Sequence, residues 1–373
     1  MAFADTYRGK RVLVTGHTGF KGSWLSEWLL ALGADVSGLS LPPDTSPSLF
    51  EQLGLADRLK HHLGDIRDLA VVRQVFEEAR PEFVFHLAAQ PLVRLSYARP
   101  VETYATNVLG TVHVLEAVRL AGHPCTVVAV TTDKCYENRE WVHGYREEDP
   151  LGGHDPYSSS KGAAELVVSA YRRSYFSASG SLVRLASARA GNVVGGGDWA
   201  LDRIVPDCVR ALQRSEPILV RNRTATRPWQ HVLEPLSGYL QLGAAMHQAA
   251  FDSQPSLTTL CGSFNFGPAL GSNRSVAELV QQLLVHWPGT WESRGDPDAA
   301  HEARLLNLAT DKSFHHLHWQ PVWDFPTTIA ETVRWYRQGA SSPDAALAMT
   351  RAQISAYGAA AAEAGLAWAA TSP

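Results

Sequence analysis

The run CTVVAVTTDKCY, residues 125–136, closes a stretch of β-forming residues with two hydroxyls, a carboxyl and an ammonium: Thr131, Thr132, Asp133 and Lys134. A buried strand ordinarily ends in a turn and has no need of four functional groups side by side. A hydroxyl can hold a substrate oxygen, a carboxyl can give or take a proton, and a desolvated lysine can do the same. Further along, DPYSSSKGAAE places Tyr157 and Lys161 four residues apart, which puts both on one face of a helix. An ammonium beside a phenol favours the phenolate, so the tyrosine can accept a proton near neutral pH. Such a pair alone is common on helix surfaces. Its company makes it specific.

That company begins with VTGHTGFKGSW (14–24), where Gly16, Gly19 and Gly22 recur every third residue between a strand and a helix. Gly16 permits the tight turn, and Gly19 and Gly22 allow close approach of a pyrophosphate to the helix N-terminus. Dinucleotide binding is the expected role, against a merely structural turn. Asp65 in HLGDIRD suits an adenine amino group, with a capping role as its plainer alternative. After the second strand, GLSLPP (38–43) offers neither the carboxylate that would hold a ribose 2′-hydroxyl nor an arginine for a 2′-phosphate. Lys21 in the glycine turn could neutralise such a phosphate. NAD is favoured over NADP.

The elements that must position these groups alternate. RVLVTG (11–16), ADVSGLSL (34–41), HHLGDI (61–66), FVFHLAA (83–89), TVVAVTT (126–132) and SLVRLASA (181–188) read as strands. WLSEWLLALG (24–33), LAVVRQVFEEA (69–79), TNVLGTVHVLEAVRLAG (106–122) and SSSKGAAELVVSAYRRSYF (158–176) read as helices. The alternation predicts an α/β fold, a doubly wound parallel sheet of Rossmann type over residues 1–188. A smaller substrate-binding lobe is expected over 189–340, with a segment near 228–267 returning to the sheet. The Ala-rich stretch 345–370 reads as a helix or tail. The helical stretches 100–120 and 158–176 carry apolar residues, among them Val114, Val118, Val167 and Val168, beyond what covering the sheet requires.

The chain has 373 residues, a net charge of −4, 45% hydrophobic and 19% charged residues, an ordinary globular composition. No basic excess suggests nucleic acid, and no apolar run suggests a membrane span. The four cysteines have no CxxC spacing, so neither a metal site nor a disulfide framework is expected. MAFADTYRGKRVLVTG enters the first strand without a secretory segment, and the expected location is cytoplasmic. Most of the eleven tryptophans are expected in the core.

The glycine triplet, HLAAQ (86–90), Asn107 in NVLGT, Thr132 and the Tyr157/Lys161 pair together resemble the extended short-chain dehydrogenase/reductases over roughly residues 8–340. Within that superfamily, GHTGFKGSW, TTDKCYEN, RAGNVVGGGDWA (189–200) and TRPWQHVLEPLSGY (226–239) resemble the CDP-glucose 4,6-dehydratases. The resemblance implies NAD held by Gly16, Thr18, Gly19, Phe20, Lys21, Gly22, Asp65, Ile66, Leu87, Ala88, Tyr157 and Lys161. It implies that Tyr157 takes the sugar O4 proton while C4 gives hydride to NAD. Water then leaves across C5 and C6, and hydride returns to C6, giving a 4-keto-6-deoxy sugar. Thr132 would bind O4 and Asp133 would protonate the departing hydroxyl. Lys134 departs from the related dTDP-glucose enzymes, which carry Glu there as the C5 base. It acts either as a neutral base or as a charge stabilising the enolate, with a structural ion pair to Asp133 as the plain alternative.

The same resemblance places Asn192 on the sugar and Arg227 and His231 on the diphosphate, with Arg203 either sharing that load or held in a surface ion pair. Gln90 and Ser96 follow the fourth strand, where CDP-glucose and nicotinamide would meet. The two helices would pair with those of a second copy, giving a homodimer or homotetramer. Two other readings compete. A 4-epimerase would share fold, cofactor and Tyr/Lys but has no need of Asp133–Lys134, and a non-catalytic dinucleotide sensor would not need Tyr157 and Lys161.

Overall fold

The apolar runs of the first half fold into parallel strands because both of their faces are covered, which is why they read as continuous rather than alternating. The computed structural model of the protein describes residues 2–177, 181–252, 256–295 and 305–369. The strands β1 (Arg11–Thr15), β2 (Asp35–Ser40), β3 (Lys60–Leu63), β4 (Phe83–His86), β5 (Cys125–Val130), β6 (Val183–Ala190) and β7 (Ser263–Phe266) form one sheet. Their order is β7-β6-β5-β4-β1-β2-β3, with every neighbouring pair parallel. The order reverses between β1 and β4, so the crevice at the carboxyl ends of these strands is where an open α/β sheet takes its ligand.

Helices α1 (Phe20–Ala31), α2 (Leu69–Ala79), α3 (Gly110–Ala121) and α4 (Pro156–Tyr171) follow β1, β3, β4 and β5. The sequence supplies their ends. Asp68 caps α2 by accepting from Ala70 N and Val71 N, and Asp155 caps α4 by accepting from Ser158 N, with Pro156 at the first helical position. Two apolar cores result, one on each face of the sheet. Val72, Phe76, Leu115 and Val118 pack with Leu13, Val84 and Val127 on one face. Trp24, Leu29, Leu236 and Leu240 pack with Val12, Val14 and Phe85 on the other.

The returning segment supplies α5 (Leu233–Asp252) and β7, which lies beside β6. The Ala-rich stretch is a helix, α6 (Pro343–Glu363), capped by Ser342. It is docked rather than frayed. Arg351 reaches the buried Glu27 of α1 at 2.7 Å, and Tyr357 donates to Glu234 of α5 at 2.7 Å. Beyond it Trp368 stacks on Phe3, ring centres 5.0 Å apart.

One expectation needs correction. Val114, Val118 and Val168 are not spare surface: all three are buried in the core on the sheet, with Val167 packed against it. A parallel sheet needs a wider apolar face from its helices than periodicity alone suggests. The apolar side chains left exposed on these helices, and on the helical residues 100–109 that lead into α3, include Val101, Leu109, Leu120 and Leu166.

Candidate active site

At the end of β1 the chain turns through Gly16, whose φ of +78° belongs to the left-handed region. A Cβ there would lie 2.7 Å from Ala88 N, and one on Gly22 would lie 2.1 Å from Gly16 O. The turn is therefore closed to side chains. Gly19 begins α1 with no side-chain cap, which leaves the first amides of the helix open to an anion. This cradle fits a pyrophosphate. Thr18 bonds Ser40 Oγ and Leu41 O at the end of β2, tying the turn to the adenosine side of the crevice. Asp65 is engaged by Arg67, which donates from its backbone and its guanidinium and holds the carboxyl below its ordinary pKa. These bonds are those of a carboxylate that holds its own turn, the plainer of the two expectations.

Lys21 does not face the end of β2, where a 2′-phosphate would lie. Its ammonium lies 3.4 Å from Tyr239 Oη and over that ring, and it influences Asp133 and Lys161. Burial, then the neighbouring Arg203, lower its pKa to about 8.

The residues expected to carry the chemistry gather where β5 ends against α4. Asp133 is 2% exposed and accepts from Thr132 Oγ1 at 3.0 Å. Burial raises its pKa, although Lys134, Thr132, Arg227 and Lys21 all pull the other way. A carboxyl of this kind retains its proton at a pH where an exposed one has lost it, which is what a general acid requires. Tyr157 faces Thr132 and Asp133. Lys161, one turn on, donates to Val130 O at 3.3 Å.

In this resting arrangement burial outweighs the lowering of the phenol's pKa expected from Lys161. Burial pushes Tyr157 up to about 12, Thr132 offsets part of this, and Asp133 raises it further when ionised. Burial also lowers Lys161 to about 8, with Glu165 the main opposing charge. Desolvation outweighs the pairing.

Of the residues expected on the substrate, the structure gathers some and not others. Arg227 is buried with its charge reaching Asp133. Arg203 pairs with Asp198 at 2.9 Å and influences both Tyr157 and Lys21. Asn192 lies beside Gly191 and is half-buried. Three belong instead to the framework. His231 is fully buried between Trp24 and Trp323, and burial lowers it to about 3. Ser96 donates to Val93 O within its own helical turn. Gln90 spends its amide on Leu92 and Thr103. Trp199 and Trp229 are core residues, bonded to Gln52 and Arg274 O.

With this geometry in view, the chain matches the family model described as GDP-mannose 4,6 dehydratase over residues 13–332. It belongs to that family, within the extended short-chain dehydrogenase/reductases. A CDP-glucose 4,6-dehydratase from Salmonella typhimurium is 47% identical over 356 residues, covering 94% of this chain and 97% of that protein. A dTDP-glucose 4,6-dehydratase from Streptomyces venezuelae, solved with NAD, is 26% identical with a TM-score of 0.73, covering 88% and 97% of the two chains. An epimerase from Methanothermobacter thermautotrophicus has a TM-score of 0.74 at 25% identity, covering 91% and 95%.

Three residues that sequence reading did not single out also shape the site, all of them inside stretches quoted above. Gly191 leaves room for the acid: a Cβ there would lie 2.8 Å from Asp133 Oδ2 and 3.4 Å from Pro228. Tyr239 comes from α5 to reach Lys21. Glu165 continues the face of α4 that carries Tyr157 and Lys161, and that i, i+4, i+8 spacing was a usable signal.

Proposed function

We propose that this chain is an NAD-dependent hydro-lyase that converts CDP-glucose to CDP-4-keto-6-deoxyglucose. The observation that carries this reading is the buried Asp133, bonded to Thr132 and facing Tyr157, an acid beside the base. The 47% identity to a CDP-glucose 4,6-dehydratase supports the choice of nucleotide.

The glycine turn of residues 16–22, Asp65, Ile66, Leu87 and Ala88 hold the dinucleotide. When bound, NAD supplies a hydride acceptor and donor and a positive nicotinamide. Thr132 fixes the sugar O4, from which Tyr157 withdraws the proton. Lys161 supports the phenolate by its charge. Asp133 delivers its proton to the C6 hydroxyl as water leaves, and the half-buried Lys134 serves the C5 side. Arg227 and Arg203 neutralise the diphosphate, and Asn192 contacts the sugar. An epimerase would share the fold and the Tyr157/Lys161 pair but would leave the buried acid without a task.

A panel of CDP-, dTDP-, UDP- and GDP-glucose, scored by the alkaline ultraviolet absorbance of 4-keto products, tests this. CDP-glucose should be turned over far better than the rest. Comparable specificity constants for dTDP-glucose would overturn the nucleotide assignment, and no product from any would overturn dehydration. The exposed Val101, Leu109 and Leu166 support self-association through the helices around α3 and α4, and at least a dimer is expected by light scattering. No helix among the described residues is long and apolar enough to cross a membrane.

A further inference from the structure

The turn that carries Thr132, Asp133 and Lys134 is bolted at both ends to one buried ion pair. Glu165, on α4, accepts from Thr131 Oγ1 at the start of the turn and from Ser187 Oγ at 2.7 Å. Arg189, on β6, donates to Glu165 at 2.8 Å and to Tyr136 Oη, at the end of the turn, at 2.8 Å. It also donates to Glu147 O at 2.9 Å and Ser263 Oγ at 3.1 Å, and its guanidinium lies 4.9 Å from the Tyr136 ring centre. The two side chains are 3% and 2% exposed.

Buried ion pairs rarely raise stability above that of well-packed apolar residues, because desolvation offsets their attraction. Stability alone therefore gives this pair little reason to exist. Its geometry supplies one. An Arg fork can hold two acceptors in fixed directions, and here it holds Glu165 and Tyr136, so the flanks of the turn are registered to α4 and β6 together. Those are the elements that carry Tyr157 and lead to Gly191.

We propose that Glu165 and Arg189 are positioning residues: their ion pair clamps residues 131 and 136 and thereby fixes where Thr132 and Asp133 meet the substrate. Glu165, one turn further along the same helix, is also the main charge opposing the lowering of Lys161 by burial. This rests on the reading of Thr132, Asp133 and Tyr157 as the reaction centre. Groups facing Lys161 from the other elements are Lys21 of α1, His86 of β4 and Cys135 of the turn.

The double variant Glu165→Gln/Arg189→Met removes both charges of the clamp together. It should melt within a few degrees of wild type and bind NAD and CDP-glucose with unchanged Kd and KM. Its kcat should fall about a hundredfold, the cost of a misplacement of about 1 Å. The alkaline limb of its pH profile should move to lower pH, because Lys161 loses its supporting charge. Arg189→Lys keeps the charge pair but not the fork, and its kcat should fall by a smaller factor. Wild-type kcat in either folded variant, or a loss confined to KM, would overturn the clamp. Failure of the wild-type enzyme to make a 4-keto product would instead count against the reaction itself.

Discussion

Tyr157 and Lys161 stand four residues apart on α4, while Asp133 is enclosed by Gly191, Arg227 and Lys21, which come from three distant parts of the chain. The first pair is made by helix geometry, and its members face the same way wherever α4 goes. The second cluster exists only when β6, the strand at Thr226–Pro228 and the glycine turn close on one another. The difference shows in the electrostatics. Burial sets the direction for Tyr157, Lys161 and Asp133 alike, and burial is a property of the assembled fold, not of local spacing.

The comparison can be broken from either side. Lys161→Met removes the charge of the local pair with little change in packing. The expected loss of kcat is roughly a hundredfold to ten-thousandfold, with melting unchanged. Gly191→Ala perturbs the assembled cluster by a single methyl group against Asp133. Its expected loss is about tenfold in kcat, again without loss of fold. A larger effect from Gly191→Ala than from Lys161→Met would mean that the assembled cluster, not the helical pair, limits the reaction.

A weaker effect lies outside the centre, where α6 meets α5. Glu234 is buried and accepts from Val322 N, Trp323 N and Tyr357 Oη. Burial raises its pKa to about 7 from an ordinary 4.5, despite those hydrogen bonds. A raised carboxyl binds its proton more tightly in the folded state, so its contribution is full below the unfolded value. That stability is lost as pH rises through the folded value, by up to about 3 kcal/mol. Glu234→Gln should flatten the fall in Tm between these two values. An unchanged slope would place the titrating group elsewhere.

What was legible in the sequence follows the same division. Strand–helix alternation, the glycine turn and the Tyr/Lys spacing are periodic and local, and each stands in the structure close to where its pattern put it. His231 was read from a motif and Ser96 and Gln90 from their place after the fourth strand, and their side chains turn into the framework because packing, not position along the chain, decides orientation. Gly191 could not be read as the space for Asp133 before the two were brought together. Glu165 could have been, since it lies on the face already recognised, but a carboxylate eight residues from Tyr157 has no meaning until Arg189 arrives from β6.

The central claim is that Asp133 is the acid of the elimination and Tyr157 the base of the oxidation before it. Asp133→Asn keeps the shape of the side chain and an acceptor for Thr132 but has no carboxylic proton to give. Mixed with CDP-glucose and NAD, it should still oxidise C4 and then stall, so the near-ultraviolet absorbance of reduced nicotinamide should accumulate on the enzyme. Tyr157→Phe should show no such absorbance, because its block precedes oxidation. Steady-state turnover of Asp133→Asn should fall by roughly a hundredfold to ten-thousandfold. Wild-type turnover by Asp133→Asn, with no reduced cofactor building up, would contradict the account.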